Sequence, residues 1–454
     1  MPPEFTTPEF IRLLFDVSLI DTAFLSGVLH MFLGQGDLKC VRFSKKTIDI
    51  VPTHVLPRHR GDRHVKCNFY VEKQPPRIQR LGKFCNCANR VSALGHCIPN
   101  RSYRASRRSL SRASRGMPFS RGLVPVLLLA SARALVVIEH SRHVMHAAPP
   151  GNAHPETPNR IHAAKNALLH ANLNIHWENT TSLKDTHSAI RALQRVHSTE
   201  HLDAVQSTSR RGGGGFDADT YCAPGSWDAV LDGTNAWLEA VAIAERAAGP
   251  ALALARPPGH HATRDLAMGF CLVNYAAAAT ADYLERNPEG QVAVLDWDVH
   301  HGNGVAAILA DEPRARYCST HEEGGFPRSG LDELDRGPQS NLLHLPLPPG
   351  CDGVEYLRRL KEDALPFLLG RDINWQPDIL LICAGYDALE ADSLAGMRLE
   401  PDDFAQSIRF IVEEFGFPQE RIALGLEGGY SLDLENGLPA GIVKTCEAFV
   451  SASS

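Results

Sequence analysis

Five short apolar runs in the C-terminal part of the chain constrain its fold most strongly. They are 134-ALVVI-138, 251-ALALA-255, 292-VAVL-295, 379-ILLIC-383 and 422-IALGL-426. Longer segments with the spacing of amphipathic helices lie between them, at 226–247, 273–286 and 402–415. Nearly continuous apolar strands separated by helices are typical of a parallel sheet that is covered on both faces. The pattern predicts one α/β domain over residues 133–454, in which helices flank a mainly parallel sheet.

Residues 1–132 differ in composition and are predicted to form a basic, low-complexity N-terminal extension. The segment 101-RSYRASRRSLSRASR-115 is dominated by Arg and Ser and cannot build a hydrophobic core. Met117 then opens 117-MPFSRGLVPVLLLASARA-134, whose apolar stretch and small residues resemble a cleavable export signal. Three interpretations stay open: an organelle transit segment, an upstream extension over residues 1–116 that the mature protein lacks, and a disordered basic tail. A plastid or mitochondrion is the predicted location, with cytoplasm or nucleus as the alternative.

The uneven distribution of charge disfavours two classes of protein. Residues 73–138 contain thirteen Lys or Arg and no Asp or Glu, so the formal net charge of −6 leaves −19 on the remainder. An acidic body disfavours direct binding to nucleic-acid phosphates. A membrane protein is disfavoured because no uninterrupted apolar run reaches the roughly 18 residues of a spanning helix. The sequence makes no prediction of the oligomeric state.

Cysteine spacing gives no indication of a disulfide framework or a structural zinc site. The cysteines of the predicted α/β domain follow no paired spacing, which is typical of free, buried thiols in a reducing compartment. In the extension, 85-CNC-87 lacks the two spaced pairs that a structural zinc site requires.

Four polar motifs follow four of the predicted strands. They are 256-RPPGHHA-262, 296-DWDVHHGNG-304, 384-AGYDA-388 and 427-EGGY-430. Ligands of open parallel sheets bind beyond the carboxyl ends of the strands, where the following loops meet. The four motifs are therefore predicted to converge on one site.

Three residues of these motifs form a candidate metal site. Asp298 and His300 are two positions apart, so in an extended segment their side chains leave the same face. Asp387, after another strand, is the natural third ligand. Zinc accepts imidazole and carboxylate, and catalytic zinc sites keep a position for water beside three protein ligands. Asp296 shares the same face and could accept a hydrogen bond from an imidazole or contribute to a second, oxygen-lined cation site. A plain salt bridge between Asp and His is the alternative.

Three more residues suit proton transfer and oxyanion binding. His260 and His261 follow a turn constrained by two prolines and a glycine, and adjacent imidazoles beside a metal can act as general base and acid. Tyr430 follows two glycines, which would let a flexible loop bring its hydroxyl to a developing oxyanion. The alternatives are structural histidines and a tyrosine that only packs.

Taken together, these motifs resemble the histone deacetylase family, which has the arginase/deacetylase fold, and D-W-D-V-H-H-G-N-G and R-P-P-G-H-H resemble its class II branch. The resemblance covers about residues 134–440. Further similar motifs are 154-HPETPNR-160, 196-VHSTEHL-202, 268-MGFCLVN-274 and 319-STH-321. It implies hydrolysis of the acetamide of acetylated lysine side chains in proteins, with water attacking the carbonyl. One catalytic Zn²⁺ would be held by Asp298, His300 and Asp387, with His260 and His261 as base and acid and Tyr430 stabilising the oxyanion.

The resemblance also implies roles for residues around the metal. A narrow tunnel for the acyl-lysine side chain would be walled by Gly269, Phe270 and Phe326. Asp219, in 217-DADTY-221, would hold backbone amides of the substrate at the rim. A structural potassium ion would be surrounded by Asp296, Asp298, His300, Ser319 and Thr320. Asn303 stands where many class I members have an aspartate, so His261 is expected to be neutral more readily.

Three other functions compete with protein-lysine deacetylation. An acetylpolyamine or small-amide amidohydrolase of the same fold is disfavoured because Leu394 stands where polyamine-selective relatives carry a glutamate. A binuclear manganese ureohydrolase of the arginase type would need more bridging aspartates than the motifs provide. A non-catalytic acyl-lysine-binding scaffold is disfavoured by the complete set of His260, His261 and Tyr430.

Overall fold

The computed structural model describes residues 134–180, 186–370 and 374–451, together with five short strands nearer the N-terminus. The chain divides into two units, Met1–Ser120 and Arg121–Ser454. In the first unit, a three-stranded antiparallel sheet has the order β1-β3-β2, and β4 pairs with β5 in an antiparallel hairpin. These strands are β1 (Arg12–Leu14), β2 (Leu38–Phe43), β3 (Thr47–Pro52), β4 (Cys67–Glu72) and β5 (Arg80–Cys85). The Arg/Ser-rich segment and the export-like segment predicted above lie outside the described residues.

The second unit is built on an eight-stranded sheet in which all neighbouring strands are parallel. Its order is β13-β12-β11-β14-β15-β10-β6-β7. The strands are β6 (Leu135–Glu139), β7 (Ile175–Asn179), β10 (Ala251–Leu254), β11 (Val292–Asp296), β12 (Ala315–Glu322), β13 (Leu342–Leu347), β14 (Ile379–Ala384) and β15 (Ile422–Leu426). The intervening β8 (Gly214–Gly215) and β9 (Tyr221–Cys222) form a separate small hairpin. The predicted α/β fold is confirmed.

The helices lie between the strands along the chain, as the βα pattern predicts. They are Asn159–His170, Thr186–Val196, Thr199–Arg210, Ser226–Glu245, Tyr275–Arg286, Asn303–Leu309, Gly353–Arg359, Leu365–Leu369, Pro401–Arg409 and Leu438–Ser451. The predicted helices at 226–247 and 273–286 are present within about two residues of their expected ends. The third continues from Pro401–Arg409 into a π-helical turn over Phe410–Glu414. Within the described ranges, none of the helices is both long and apolar enough to cross a membrane.

Both faces of the sheet are buried, which explains the continuous apolar runs. Alternate residues of each central strand enter two different hydrophobic cores, because side chains of a strand point to opposite faces. In β10, Leu252 and Leu254 join one core, whereas Ala251 and Ala253 join the other. Small residues on the second face allow the long helix Ser226–Glu245 to approach closely, since a Cβ at Gly425 would lie 1.9 Å from the ring of Trp237. The six cysteines of the described body are buried and unpaired, as their spacing indicated.

Three strands of the eight-stranded sheet were not predicted from the sequence, and each has a physical reason. β7 and β13 lie at the two edges of the sheet, and β13 includes Pro346, which an edge strand tolerates. β12 is central but carries the polar residues Ser319, Thr320 and His321, all of them buried. These polar residues lie near the C-terminal end of the strand, where each has a hydrogen-bond partner.

Candidate active site

The predicted metal ligands converge at the carboxyl ends of two adjacent strands. Asp298 follows β11, and Asp387 follows β14 beside it. His300 Nδ1 lies 3.1 Å from Asp298 Oδ1 and 3.1 Å from Asp387 Oδ2. One ligand atom from each of the three residues lies within 4.8 Å of the others, and both carboxylates are buried. The structure thus brings the predicted set together from positions 87 residues apart in the chain.

The surroundings of this cluster fit a divalent cation. Two buried carboxylates held against one imidazole are costly unless a cation offsets their charge. Carboxylate and imidazole are ligands that zinc accepts, and three of them leave a position open. Gly428 lets the chain pass close to them, because a Cβ there would lie 2.1 Å from Asp387 Oδ2 and 2.6 Å from Asp298 Oδ2. Its N–H donates to Asp298 Oδ2 over 2.8 Å, which orients that carboxylate.

The tandem histidines lie side by side next to the candidate metal ligands, with ring centroids 4.0 Å apart. His260 Nδ1 is 3.1 Å from Asp296 Oδ2, and its Nε2 is 3.7 Å from Asp298 Oδ1. His261 Nδ1 is 2.9 Å from Asn303 Oδ1, as the Asn at that position indicated. Each imidazole therefore has a different partner, a carboxylate for one and a neutral amide for the other.

The surroundings of the two histidines shift their pKa values in opposite directions. Burial lowers the pKa of His260, but Asp298 and Asp296 outweigh burial and raise this pKa to about 10. Burial, together with the neighbouring imidazoles of His260 and His300, lowers the pKa of His261 well below its ordinary value. Of the two imidazoles, His260 therefore favours the protonated form and His261 the neutral form.

The turn that carries the tandem histidines is supported from the helix behind it. Asn274 caps the helix Tyr275–Arg286 by accepting from Ala277 N–H, and its Nδ2 donates to Ala262 O over 2.9 Å. Gly259 is required because a Cβ there would lie 2.8 Å from the ring of Tyr275. One buried asparagine thus fixes both the helix start and the histidine turn.

Tyr430 is held on three sides. The guanidinium of Arg160 lies 4.6 Å from its ring centroid, and Arg160 Nε donates to Gly429 O over 2.6 Å. Asp392 accepts from Tyr430 N–H over 2.6 Å, and the ring of Phe270 packs 5.6 Å away. Burial raises the pKa of the Tyr430 hydroxyl well above its ordinary value, so the group stays a hydrogen-bond donor. Gly428 allows the close approach to the carboxylates, and Gly429 adopts a φ of +109°.

A narrow cavity of about 210 Å³ leads to these groups. It is lined by Asp217, Asp219, His261, Gly269, Phe270, His300, Phe326, Leu394 and Tyr430. All five predicted substrate-contacting residues are among them. A Cβ at Gly269 would lie 2.5 Å from the ring of His261 and 2.6 Å from that of Phe326, so any side chain there would enter the tunnel. Phe326 and Leu394 are 45% and 38% exposed, which places them at the mouth.

Two aspartates lie at the mouth, although the sequence indicated only Asp219. Asp217 Oδ1 accepts from the N–H groups of Asp219 and Thr220, so this carboxylate shapes the turn. Thr220 Oγ1 in turn accepts from Phe270 N–H over 3.0 Å and supports the tunnel wall at a residue with φ +66°. The side chain of Asp219 is exposed beside the cavity, where the resemblance places it.

The residues expected around a potassium ion are also neighbours. Asp296 and Ser319 are paired in the register of β11 and β12. Thr320 Oγ1 donates to Asp296 O over 3.4 Å, and Tyr317 OH donates to Asp296 Oδ2 over 2.8 Å. All of these side chains are buried. The group is rich in oxygen atoms and lies directly behind the tandem histidines.

A buried ionic network beneath the site was missed by sequence reasoning. Arg256 donates to both oxygens of Glu156, over 2.8 and 2.6 Å, and Tyr221 OH donates to Glu156 Oε2 over 3.1 Å. Arg160 Nη1 reaches Glu156 Oε1 at 3.3 Å. Glu156 and both arginines are fully buried. The signal was present in 154-HPETPNR-160 and 256-RPPGHHA-262, which carry charged residues beside prolines, but a single sequence does not pair them.

Glu156→Ala is expected to lower the free energy of unfolding by about 3–5 kcal/mol, because it leaves the Arg256 guanidinium buried without a counter-charge. Urea unfolding of the full chain measures the change. Arg358→Ala, which removes a surface cation paired with Glu355 and Glu362, is the control and should leave the midpoint nearly unchanged. Equal midpoints for wild type and Glu156→Ala would contradict a stabilising role for the network.

Comparisons with known proteins agree with this geometry. A family model described as the histone deacetylase domain matches residues 154–444. An uncharacterized protein from Synechocystis sp. is 41% identical over 285 residues, which are 62% of this chain and 90% of that protein. A histone deacetylase-like amidohydrolase from Pseudomonas aeruginosa is 36% identical over 249 residues, 53% of this chain and 63% of that protein. The crystal structure of the HDA15 HD domain has a TM-score of 0.60 and 27% identity, and the match covers 70% of this chain and 90% of that chain. Since the family model spans well over half of the sequence, the chain belongs to the histone deacetylase family.

Proposed function

We propose that the chain is a zinc-dependent hydrolase that removes the acetyl group from acetyl-lysine side chains of proteins. One observation carries the proposal. The lining of one narrow cavity includes His300 of the candidate zinc ligands, His261 of the tandem histidines and Tyr430, and the remaining ligands and His260 lie beside them. Hydrolysis of an amide needs an electrophile activator, a proton carrier and an oxyanion donor, and each of these groups has a candidate there.

The reaction adds water to the acetamide carbonyl and breaks the C–N bond, which gives acetate and the free lysine amine. Zinc held by Asp298, His300 and Asp387 would supply Lewis acidity, which polarises the carbonyl and makes water a better nucleophile. His260 and His261 accept the proton of the attacking water and return a proton to the departing nitrogen. The Tyr430 hydroxyl donates to the oxygen on which negative charge develops.

The shape of the cavity supports a lysine side chain as the group that enters it. Phe270 and Phe326 present apolar walls, which suit the methylene chain of lysine and exclude water from the reacting bond. Asp219 at the mouth can accept hydrogen bonds from peptide N–H groups of the substrate. We also propose that potassium occupies the oxygen-rich group around Asp296, Ser319 and Thr320.

The test is hydrolysis of an acetyl-lysine peptide and of acetylputrescine by the zinc-loaded full chain, measured side by side. The expected result is a higher kcat/KM for the peptide and loss of both activities after zinc is removed by a chelator. A preference for acetylputrescine would replace the proposal by the small-amide hydrolase. Tight binding of the peptide without turnover would replace it by the acyl-lysine-binding scaffold.

Leu394→Glu is expected to raise kcat/KM for acetylputrescine about fivefold, because a carboxylate at the mouth can pair with the distal ammonium. The side chain is 38% exposed and lines the cavity, so the new charge would reach the substrate. Leu394→Gln, of similar size and without charge, is the matched control and should not show the increase. If both variants have the same effect on acetylputrescine, position 394 does not discriminate by charge.

A further inference from the structure

Glu427 is a fully buried carboxylate that touches the catalytic loops but has no part in the mechanism above. It opens 427-EGGY-430, the tetrapeptide that contacts the candidate site at three points. Gly428 N–H donates to Asp298, Tyr430 supplies the hydroxyl, and the Glu427 side chain reaches the turn that carries the tandem histidines.

The carboxylate holds the backbone at the start of the tandem-histidine turn. Glu427 Oε2 accepts from Gly259 N–H over 2.6 Å and from His260 N–H over 3.1 Å. These two amides lie on the residues that set the direction of the His260 ring. Both amides donate to the same carboxylate oxygen, so this pair of hydrogen bonds forms a clamp that ties the start of the histidine turn to the end of β15.

The other side of the same turn is held as well. His260 O accepts from Gly304 N–H over 3.1 Å and from Val305 N–H over 3.2 Å, both in the first turn of the helix Asn303–Leu309. The backbone of Glu427 is itself fixed, because Arg160 Nη2 donates to Glu427 O. Glu427 therefore connects a fixed strand end to the histidine turn across 168 residues of chain.

Packing alone does not explain a carboxylate at this position. Burial raises the pKa of Glu427 to about 7, which shows that the charged form is costly there. Among the described residues, Glu427 Oε1 has no hydrogen-bond partner, so the two amides of the turn account for the hydrogen bonds of this side chain. Cys271 Sγ and a ring nitrogen of His260 lie within 4.8 Å of its carboxylate. A buried carboxylate is costly, and both hydrogen bonds of this one go to the histidine turn. This indicates that Glu427 serves to hold that turn.

We infer that Glu427 is a positioning residue that sets the tandem histidines through the backbone amides of Gly259 and His260. The inference rests on the proposed function, because it assigns the clamp to proton transfer. Without the clamp the turn relaxes, and the His260 ring loses its placement between Asp296 and Asp298. Misplacement of a catalytic group by about 1 Å can cost about 100-fold in rate.

Two substitutions separate the clamp from the charge. Glu427→Ala removes the acceptor and is expected to lower kcat for the acetyl-lysine peptide about 100-fold, with KM changed by less than about threefold and zinc content unchanged. Glu427→Gln keeps a side-chain carbonyl that accepts the same two N–H bonds, so it is expected to restore most of kcat. Glu435→Ala removes an exposed glutamate of the following loop and is the matched control, with wild-type kinetics expected.

Amide hydrogen exchange of residues 256–262 supplies a readout that does not depend on turnover. Exchange is expected to accelerate in Glu427→Ala and to stay near wild type in Glu427→Gln. A zinc-loaded Glu427→Ala protein with wild-type kcat and exchange would overturn the inference, and so would a Glu427→Gln protein as slow as Glu427→Ala. Absence of turnover in the wild type would refute the proposed function, and the exchange data would still decide whether the clamp exists.

Discussion

Tyr430→Phe is expected to lower kcat for the acetyl-lysine peptide by about 100- to 1,000-fold, the usual effect of removing one oxyanion donor. The ring would keep its contacts with Arg160 and Phe270, since phenylalanine has the same shape. In the proposed mechanism the hydroxyl acts on charge that develops only in the transition state, so KM should change little. Steady-state kinetics on the zinc-loaded full chain gives both constants.

Tyr283→Phe is the matched control for this prediction. It makes the same chemical change on the helix Tyr275–Arg286, where the tyrosine is 4% exposed and does not line the cavity. Its kcat is expected to equal that of the wild type. If Tyr430→Phe retained full kcat, oxyanion stabilisation would have to come from another group.

Asp387→Ala is expected to reduce both the bound zinc and the rate, with kcat falling about 1,000-fold or more. The substitution removes one of the three proposed ligands, and a catalytic metal ion contributes several kcal/mol to stabilisation of the transition state. It also frees His300 Nδ1 from one of its two carboxylate partners. Metal analysis of the dialysed protein measures zinc per chain, and the peptide assay measures the rate.

The control for the ligand substitution is Asp402→Ala. Asp402 is an exposed aspartate whose partner is Lys444 at the surface, so neither zinc content nor rate should change. Full retention of zinc by Asp387→Ala would show that this carboxylate is not a ligand, and Asp298 and His300 would then need another partner.

The central part of the fold was predictable because the central strands are buried on both faces. Five of the six interior strands are almost continuously apolar, and these five were found from the sequence. β7 was missed because it is an edge strand with partly exposed polar residues, and β12 because Ser319, Thr320 and His321 interrupt its apolar pattern. β7 lacks a continuous apolar pattern because it is partly exposed, and β12 lacks one because it carries polar residues near the candidate site.

The candidate site was predictable where its residues are neighbours in the sequence. Asp298 and His300 are two positions apart, and the strand rule placed Asp387 near them. Contacts between distant segments left no local pattern. Arg256 and Glu156 are 100 residues apart, and Gly259 and Glu427 are 168 apart. Each of these pairs needs the sheet order to bring it together, and that order does not follow from the pattern of a single chain.

The order of the strands also dictates when the site can come into existence during synthesis. β10 lies beside β15 in the finished sheet, and the last part of the site to be made is the segment from Glu427 to Tyr430. A nascent chain that ends before β15 has Asp298, His300 and Asp387 but lacks the strand against which the histidine turn is placed. Contacts over such long separations form late in folding. A product that terminates before β15 would therefore carry the three candidate zinc ligands without Glu427 and Tyr430, and it is expected to be inactive.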